Sequence, residues 1–234
     1  MSDIVSYARH GGVGVITMDD GKANAVSPAL QAGVQRALDS AEADGVPVVL
    51  TGRPGMLSAG FDLKVLGASG QPAVDMLNGG LHLALRLLSF PTPVVIASPG
   101  HAMAMGFFLL MCGDYRIGAR GNYKYAANEV AIGMNMPYST LEIMRHRMSP
   151  AALTRAVALA ETFTPDNAVV TGVLDAVVEE SELLPTALSL AESYTQLNMA
   201  AHAASKLRLR EEFLTAVKEG LVKDDEIWKY IFLR

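Results

Sequence analysis

Apolar residues along the chain fall into two alternating patterns. Short β-branched runs read as strands at residues 4–9, 13–19, 48–51 and 94–97, and His10-Gly11-Gly12 supplies a hairpin turn between the first two. Between them, apolar residues recur every three or four positions: Leu30, Val34 and Leu38 after Ser27-Pro28, then Val74, Leu77, Leu81, Leu85 and Leu88 after Gln71-Pro72. Serine followed by proline suits a helix start, because serine accepts from an orphan N–H and proline has none to lose. Ser149-Pro150 and Thr164-Pro165 repeat that signal, with Gly172 as a helix-ending residue. Residues 52–62 read as a loop, Tyr115-Arg116-Ile117 and the short runs after it as strands, and 173–178 as a last strand broken by Asp175. Strand and helix alternate through three quarters of the chain, which places it in the α/β class. From about Pro185 the pattern is helical, with one stripe at Leu209, Phe213, Val217 and Leu221 and another at Ile227, Trp228, Ile231 and Phe232. Two parts follow: a core over 1–184 and a helical region over 185–234.

Residues 99–118 follow the run Val94-Val95-Ile96 and turn through Ser98-Pro99-Gly100. They cross a segment of small residues and become the apolar block 107–112, an order that fits a strand, a tight turn and a buried helix. Gly106, without a Cβ, lets backbone N–H groups at a helix start approach a ligand closely. Such groups lack intrahelical partners and sit at the positive end of the helix dipole, which suits a developing oxyanion. The same Gly-, Ala- and Met-rich composition also fits a close-packed core helix.

At 234 residues the chain can bury a full core, and with 50% apolar and 18% charged residues it is not disordered. Mean hydropathy is +0.26. No apolar run approaches the ~20 residues that span a bilayer, so the apolar excess is expected at a subunit interface and not in a membrane. The start Met-Ser-Asp-Ile-Val lacks the basic and apolar regions of a secretory signal, and a single cysteine, Cys112, excludes an internal disulfide framework. Both point to the cytoplasm. In its apolar run Cys112 reads as an inert buried thiol. A net charge of −5 without a basic stripe argues against nucleic acid as a partner. No two of His10, His82, His101, His146 and His202 lie three to five apart, so no metal is expected. No Gly-x-Gly-x-x-Gly follows the first strand, and neither a Gly-x-Ser-x-Gly elbow nor a P-loop is present.

Three segments together carry more. Gly55-Met56-Leu57-Ser58-Ala59-Gly60-Phe61-Asp62-Leu63-Lys64 resembles the first signature of the crotonase superfamily, the enoyl-CoA hydratases and isomerases, in which an Ala-Gly-x-Asp loop meets coenzyme A. Residues 100–114 resemble the second signature, with matching spacing from first glycine to aspartate, and Lys22-Ala23-Asn24-Ala25 resembles the early Asn-Ala element. The resemblance runs from the first strand to about residue 180, and the helical remainder is similar to the family's trimerisation region. It implies a spiral of ββα turns assembled as a homotrimer or dimer of trimers. It also implies a coenzyme A thioester as substrate, with no further cofactor, its carbonyl held between the N–H groups of Phe61 and Met105. The residues that would surround the substrate are Lys22, Asn24, Ala25, Ser58, Ala59, Gly60, Asp62, Lys64, Gly106 and Phe108.

Two positions depart from the family pattern. Ala104-Met105-Gly106 replaces a run of three glycines, which keeps the N–H but adds the Met105 side chain. Phe108 stands where hydratases of the family carry one of two glutamates, and the second is matched by Glu129, four residues before Gly133. Hydration asks for two groups, whereas double-bond migration can be done with one carboxylate of raised pKa. Asp114-Tyr115-Arg116-Ile117 and Asn128-Glu129 also resemble the mitochondrial-type Δ3-Δ2-enoyl-CoA isomerases. The resemblance therefore implies an isomerase with Glu129 as proton shuttle. A hydratase and a non-catalytic acyl-CoA-binding protein are the alternatives. Several residues have a second reading: Glu129 as a surface or capping carboxylate, Asp62 as the cap of a helix beginning at Leu63, and Lys22, Lys64 and Arg53, candidates for the coenzyme A phosphates, as solvated charges. His101 reads as a packed neutral residue beside the pocket, and Asp114 as the anchor of the buried helix or partner of Arg116.

Overall fold

The structure is a computed structural model that describes residues 4–234; Met1, Ser2 and Asp3, part of the start read above for a signal, lie outside them. Its large sheet has six strands in the order β1 (Val5–His10), β2 (Val13–Met18), β3 (Val48–Thr51), β5 (Val94–Ser98), β7 (Tyr115–Ala119) and β9 (Ala176–Val178). The hairpin β1–β2 is antiparallel, with Val5 opposite Met18, and every later pairing is parallel. A small parallel sheet holds β4 (Gly55–Ser58), β6 (Gly100–Met103) and β8 (Tyr125–Ala126). Three times the chain leaves the large sheet, adds a strand to the small one a few residues later, and continues into helix. These are the turns of an α/β spiral.

Between the strands lie α1 (Pro28–Asp44), α2 (Leu63–Ala68), α3 (Gly70–Ser89) and α4 (Met105–Met111). The start of α1 is as expected: Ser27 Oγ accepts from the Leu30 N–H at 3.2 Å, Pro28 follows, and Gly45 ends the helix at φ 66°. After β8 come α5 (Tyr138–Arg145), α6 (Pro150–Leu159), α7 (Pro165–Thr171), α8 (Leu183–Ser193), α9 (Met199–Leu209) and α10 (Glu211–Phe232). Thr164 and Asn167 form a reciprocal capping box at α7, and Gly172 closes it at φ 82°.

Alternation along the parallel strands divides the core. Ile16, Met18, Val48, Leu50, Val94 and Ile96 join the main core with α1 and α3, while Val13, Val15, Val49, Val95 and Ala97 face Leu183, Ala187 and Ala191 of α8. The continuous apolar runs are thus strands covered on both faces.

Four readings need correction. Residues 52–62 are not all loop, and the small residues after Pro99 are not a turn: both segments supply strands of the small sheet, β4 and β6, which pair with each other. Two glycines permit that pairing, since a Cβ on Gly100 would overlap the Gly55 backbone. Leu209 does not lie in a packed stripe but is 79% exposed, because the helix breaks at Arg210 and the phase restarts; α10 buries Leu214, Val217, Leu221, Asp224 and Trp228 instead. Arg116 does not pair with Asp114. Parallel pairing of β7 with β9 brings Asp175 beside Arg116, whose Nε and Nη2 donate to it at 2.9 and 2.8 Å. Asp114 instead receives Lys206 at 2.7 Å and Arg210 at 2.8 Å.

Candidate active site

The small sheet brings two loop ends together. After β4 the chain turns through Ala59, Gly60 and Phe61 to Asp62, which caps α2 by accepting from the Lys64 N–H at 2.8 Å. After β6 it turns through Ala104 into α4. Gly60 (φ 99°) lies against this second turn, where a Cβ would come within 2.8 Å of the Ala104 Cβ and 3.4 Å of the Met105 nitrogen. A Cβ on Gly106 would overlap the Ser58 carbonyl. Glycine at both positions lets the two backbones approach this closely. Ala104 carries the strain of the turn at φ 47° and ψ −124°.

Asn24 and Ser58 are fully buried, and their side chains brace this junction. Asn24 Nδ2 donates to the Met18 and Leu57 carbonyls at 2.8 and 3.1 Å. Ser58 Oγ donates to the Asn24 carbonyl at 2.7 Å and accepts from the Gly60 N–H at 3.2 Å. The Ala25 N–H is held by Asp20 Oδ2 at 3.1 Å, and the Val26 N–H donates to the Gly60 carbonyl at 2.8 Å. Asn24, Ala25 and Ser58, for which the resemblance implies ligand contact, are thus engaged in the frame that shapes the Gly60 turn. Among the described residues, neither the Phe61 nor the Met105 N–H has a protein acceptor.

Ala59, Phe61, Met105, Phe108 and Glu129 converge on one cavity of about 410 Å³, completed by Leu77 and Leu81 of α3, Ile132, Met134, Pro137, Thr140, and Trp228 of α10. Glu129 follows β8 at the entry to a single 3₁₀ turn, Val130–Ile132, and is 7% exposed. Its Oε2 has no hydrogen-bond partner. Burial among apolar side chains pushes its carboxyl up to about 7. Glu129 is the one ionisable side chain lining this cavity among the described residues. Phe108, 2% exposed, stands in the same wall.

Lys22, Lys64 and Asp62 do not line the cavity. Lys22 and Lys64 are exposed, and Arg53 is tied to the Lys22 carbonyl at 2.7 Å and to Asp19 at 3.3 Å. His101 lies outside the cavity, accepting from the Lys124 N–H at 3.0 Å and meeting the Tyr123 ring edge-on. The Cys112 thiol is buried, held up to about 12, and donates to the Phe108 carbonyl at 3.1 Å. Asn128, Trp228 and Leu66 also line the cavity; Asn128 is named by sequence only as part of the resemblance at Asn128-Glu129, Trp228 only by its place in an apolar helical stripe, and Leu66 not at all. A larger cavity of about 630 Å³ adjoins across Met134, Pro137 and Trp228. Its one carboxylate, Asp224, is already engaged by Tyr138 and Ser139, so the free acid belongs to the smaller cavity.

No group of three or more potential metal ligands occurs among the described residues, and no described helix is long and apolar enough to cross a membrane. The arrangement offers two unengaged N–H donors, one carboxyl poised to titrate near neutrality, and an apolar chamber. Such a set can hold an enolate oxygen and move a proton on an adjacent carbon.

Comparison with known proteins gives relatives over almost the whole chain. The carnitinyl-CoA dehydratase of Salmonella enteritidis is 27% identical over 223 residues, 94% of this chain and 85% of that one. Among solved structures, an enoyl-CoA isomerase of Mycobacterium tuberculosis is 49% identical with a TM-score of 0.90, over 94% of this chain and 97% of that one. An enoyl-CoA hydratase of Mycobacterium marinum is 44% identical with a TM-score of 0.91, over 95% and 98%. The family model for enoyl-CoA hydratase/isomerase matches residues 8–233, and the chain belongs to that family, the crotonase superfamily, as one of its enzymes.

Proposed function

We propose that the protein shifts a Δ3 double bond of an enoyl-CoA to Δ2. The observation that carries this reading is the single free acid of the cavity: Glu129, unpaired and raised to about 7, facing a wall in which Phe108 occupies the place of a second carboxylate. Glu129 takes a proton from C2 of a 3-enoyl thioester. The enolate oxygen rests on the N–H groups of Phe61 and Met105, each such donor worth about 10² to 10³ in rate. Glu129 then returns the proton at C4. Near neutrality it is populated in both forms, so one group serves as base and then as acid. Ala59, Gly60 and Gly106 shape the donor pair, while Asn24, Ala25 and Ser58 hold it. Asp62 fixes the start of α2, and Lys22 and Lys64 are the cations assigned to the coenzyme A phosphates.

The assembly proposed with it is a homotrimer or dimer of trimers. Leu159, Val170 and Leu209 are 71, 80 and 79% exposed and would be covered at subunit contacts. Sedimentation analysis tests this.

The activity is tested by deuterium incorporation at C2 and C4 of a short 3-enoyl-CoA. Wild type exchanges and isomerises, and Glu129→Gln loses at least the ~10² expected of a general base. If neither protein exchanges although both bind the thioester, the isomerase reading fails.

A further inference from the structure

A second apolar space adjoins the proposed site. The cavity of about 630 Å³ and the smaller one that holds Glu129 share three lining residues, Met134, Pro137 and Trp228. Beyond them the larger wall is mainly apolar, with Met136, Leu141, Ile227, Ile231 and Phe232. Its carboxylate, Asp224, is engaged by Tyr138 and Ser139, so no free charge lines the space. Isomerisation of a short thioester leaves this volume without a task.

The three shared residues differ in how freely they move. Pro137 is fixed by its ring and by its place before α5, where its carbonyl accepts from Thr140 Oγ1 at 2.9 Å and from the Leu141 N–H at 3.1 Å. Trp228 is 5% exposed and lies one turn beyond Asp224, which pins α10 to α5. Met134 is half-buried, unbranched and free to turn about three bonds. Its backbone is held all the same: the Met134 N–H donates to the Glu129 carbonyl at 2.9 Å, so the turn that presents the acid also presents Met134. The partition between the cavities is thus one adaptable side chain between two rigid ones.

We propose that Met134 gates the larger cavity, that this cavity receives the far end of the acyl chain, and that the preferred substrates are therefore thioesters of long unbranched acids. The proposal rests on the smaller cavity holding the thioester in the proposed isomerisation. Continuity between the two spaces selects this occupant, since a chain whose reacting carbons lie beside Glu129 needs only to displace Met134 to go on. Ile227 and Ile231, 42 and 56% exposed, would be covered by it. Each methylene that leaves water for this wall strengthens binding about threefold to fourfold. Met134 acts as a specificity-determining residue and takes no part in the proton transfer.

Trp228 is the one tryptophan of the chain, which makes the partition directly observable. The probes are saturated hexanoyl-CoA and dodecanoyl-CoA, the latter both plain and brominated along its distal half, with turnover of the matching 3-enoyl thioesters measured in parallel. Dodecanoyl-CoA is expected to bind wild type about tenfold or more tighter than hexanoyl-CoA, and its bromines to quench Trp228 emission. Ile231 lines only the larger cavity, and Ile231→Glu is expected to lower the dodecanoyl-to-hexanoyl affinity ratio about tenfold or more and to weaken the quenching. Met134→Ile, stiff at its first side-chain bond, lowers the ratio about twofold to tenfold, whereas Met134→Ala, which removes the gate, does not lower it. The proposal is overturned if dodecanoyl-CoA binds no tighter than hexanoyl-CoA, if the bromines leave Trp228 emission unchanged, or if either Ile231→Glu or Met134→Ile keeps the wild-type ratio. A protein that sorts chains in this way but turns over no 3-enoyl thioester overturns the isomerase reading alone.

Discussion

Asp224 Oδ2 accepts from both the N–H and the hydroxyl of Ser139, at 3.0 and 2.6 Å, while its Oδ1 accepts from the Tyr138 N–H at 2.7 Å. A side chain of α10 thus satisfies the first turn of α5, a capping role supplied from 85 residues away. Asp224 is 1% exposed, and Trp228, one turn later, lines the proposed active cavity. Removing this carboxylate leaves three donors without it. Asp224→Ala is expected to cost about 2–4 kcal/mol, lowering Tm by roughly 5–15 °C. Asp224→Asn, which keeps one oxygen, costs about half as much. Thermal melts of the three proteins decide.

Glu129 ties activity and stability to the same titration, with opposite signs. Its pKa is held at about 7 by burial, whereas an unfolded glutamate titrates at about 4.3. Between these values the folded protein keeps a proton that the unfolded chain has released, so stability declines as pH rises through that window and is flat on either side. Proton abstraction needs the carboxylate, so kcat/KM for isomerisation rises as pH passes about 7. Glu129→Gln removes the penalty and is expected to be more stable than wild type above that pH by about 3–4 kcal/mol. The two proteins converge below the ordinary glutamate range. Denaturant titrations across the window measure the difference.

Much of the fold was legible because burial on both faces leaves an unmistakable pattern. Val48 to Leu50 and Val94 to Ala97 are apolar throughout since α8 covers the face that α1 and α3 do not. The small sheet was not legible: Gly55-Met56-Leu57-Ser58 and Gly100-His101-Ala102-Met103 have no strand periodicity, and their extension is imposed by pairing with each other across 45 residues. Asp175 read as a strand breaker because its partner, Arg116, is 59 residues away. At the site, the convergence of Phe61, Met105 and Glu129 was reached only through family resemblance, since no local pattern tells a buried acid from a surface one. Asn24 and Ser58 show the reverse limit. The resemblance implied ligand contact for them, yet their side chains are consumed by backbone groups of the loop.

Ala104 stores strain where the donor loop enters α4. A φ of 47° with a ψ of −124° is open to glycine and sparsely populated by alanine. Such a residue carries about 1–3 kcal/mol of strain. Glycine there releases it at an entropic cost of about 0.5–1 kcal/mol. Ala104→Gly is therefore expected to stabilise the protein by about 1 kcal/mol, read as a rise of roughly 2–4 °C in Tm. An unchanged or lower Tm would show that packing of the Ala104 methyl against Gly60 outweighs the strain.

Phe108→Glu probes why the cavity holds one acid. Phe108 is 2% exposed and shares the cavity wall with Glu129. A second carboxyl in that apolar space cannot ionise alongside the first without strong repulsion, so the pair titrates in two steps, the later one above the present value of about 7. The acid limb of the isomerisation profile is expected to move to higher pH by about one unit or more. Losing the buried ring and adding a polar group costs about 3–5 kcal/mol of stability. Phe108→Gln shares the packing loss without the charge, so its melt should match and its pH profile should stay in place. A profile that moves equally in both variants would trace the shift to altered packing around Glu129, and one that moves in neither would place the new carboxyl outside the cavity.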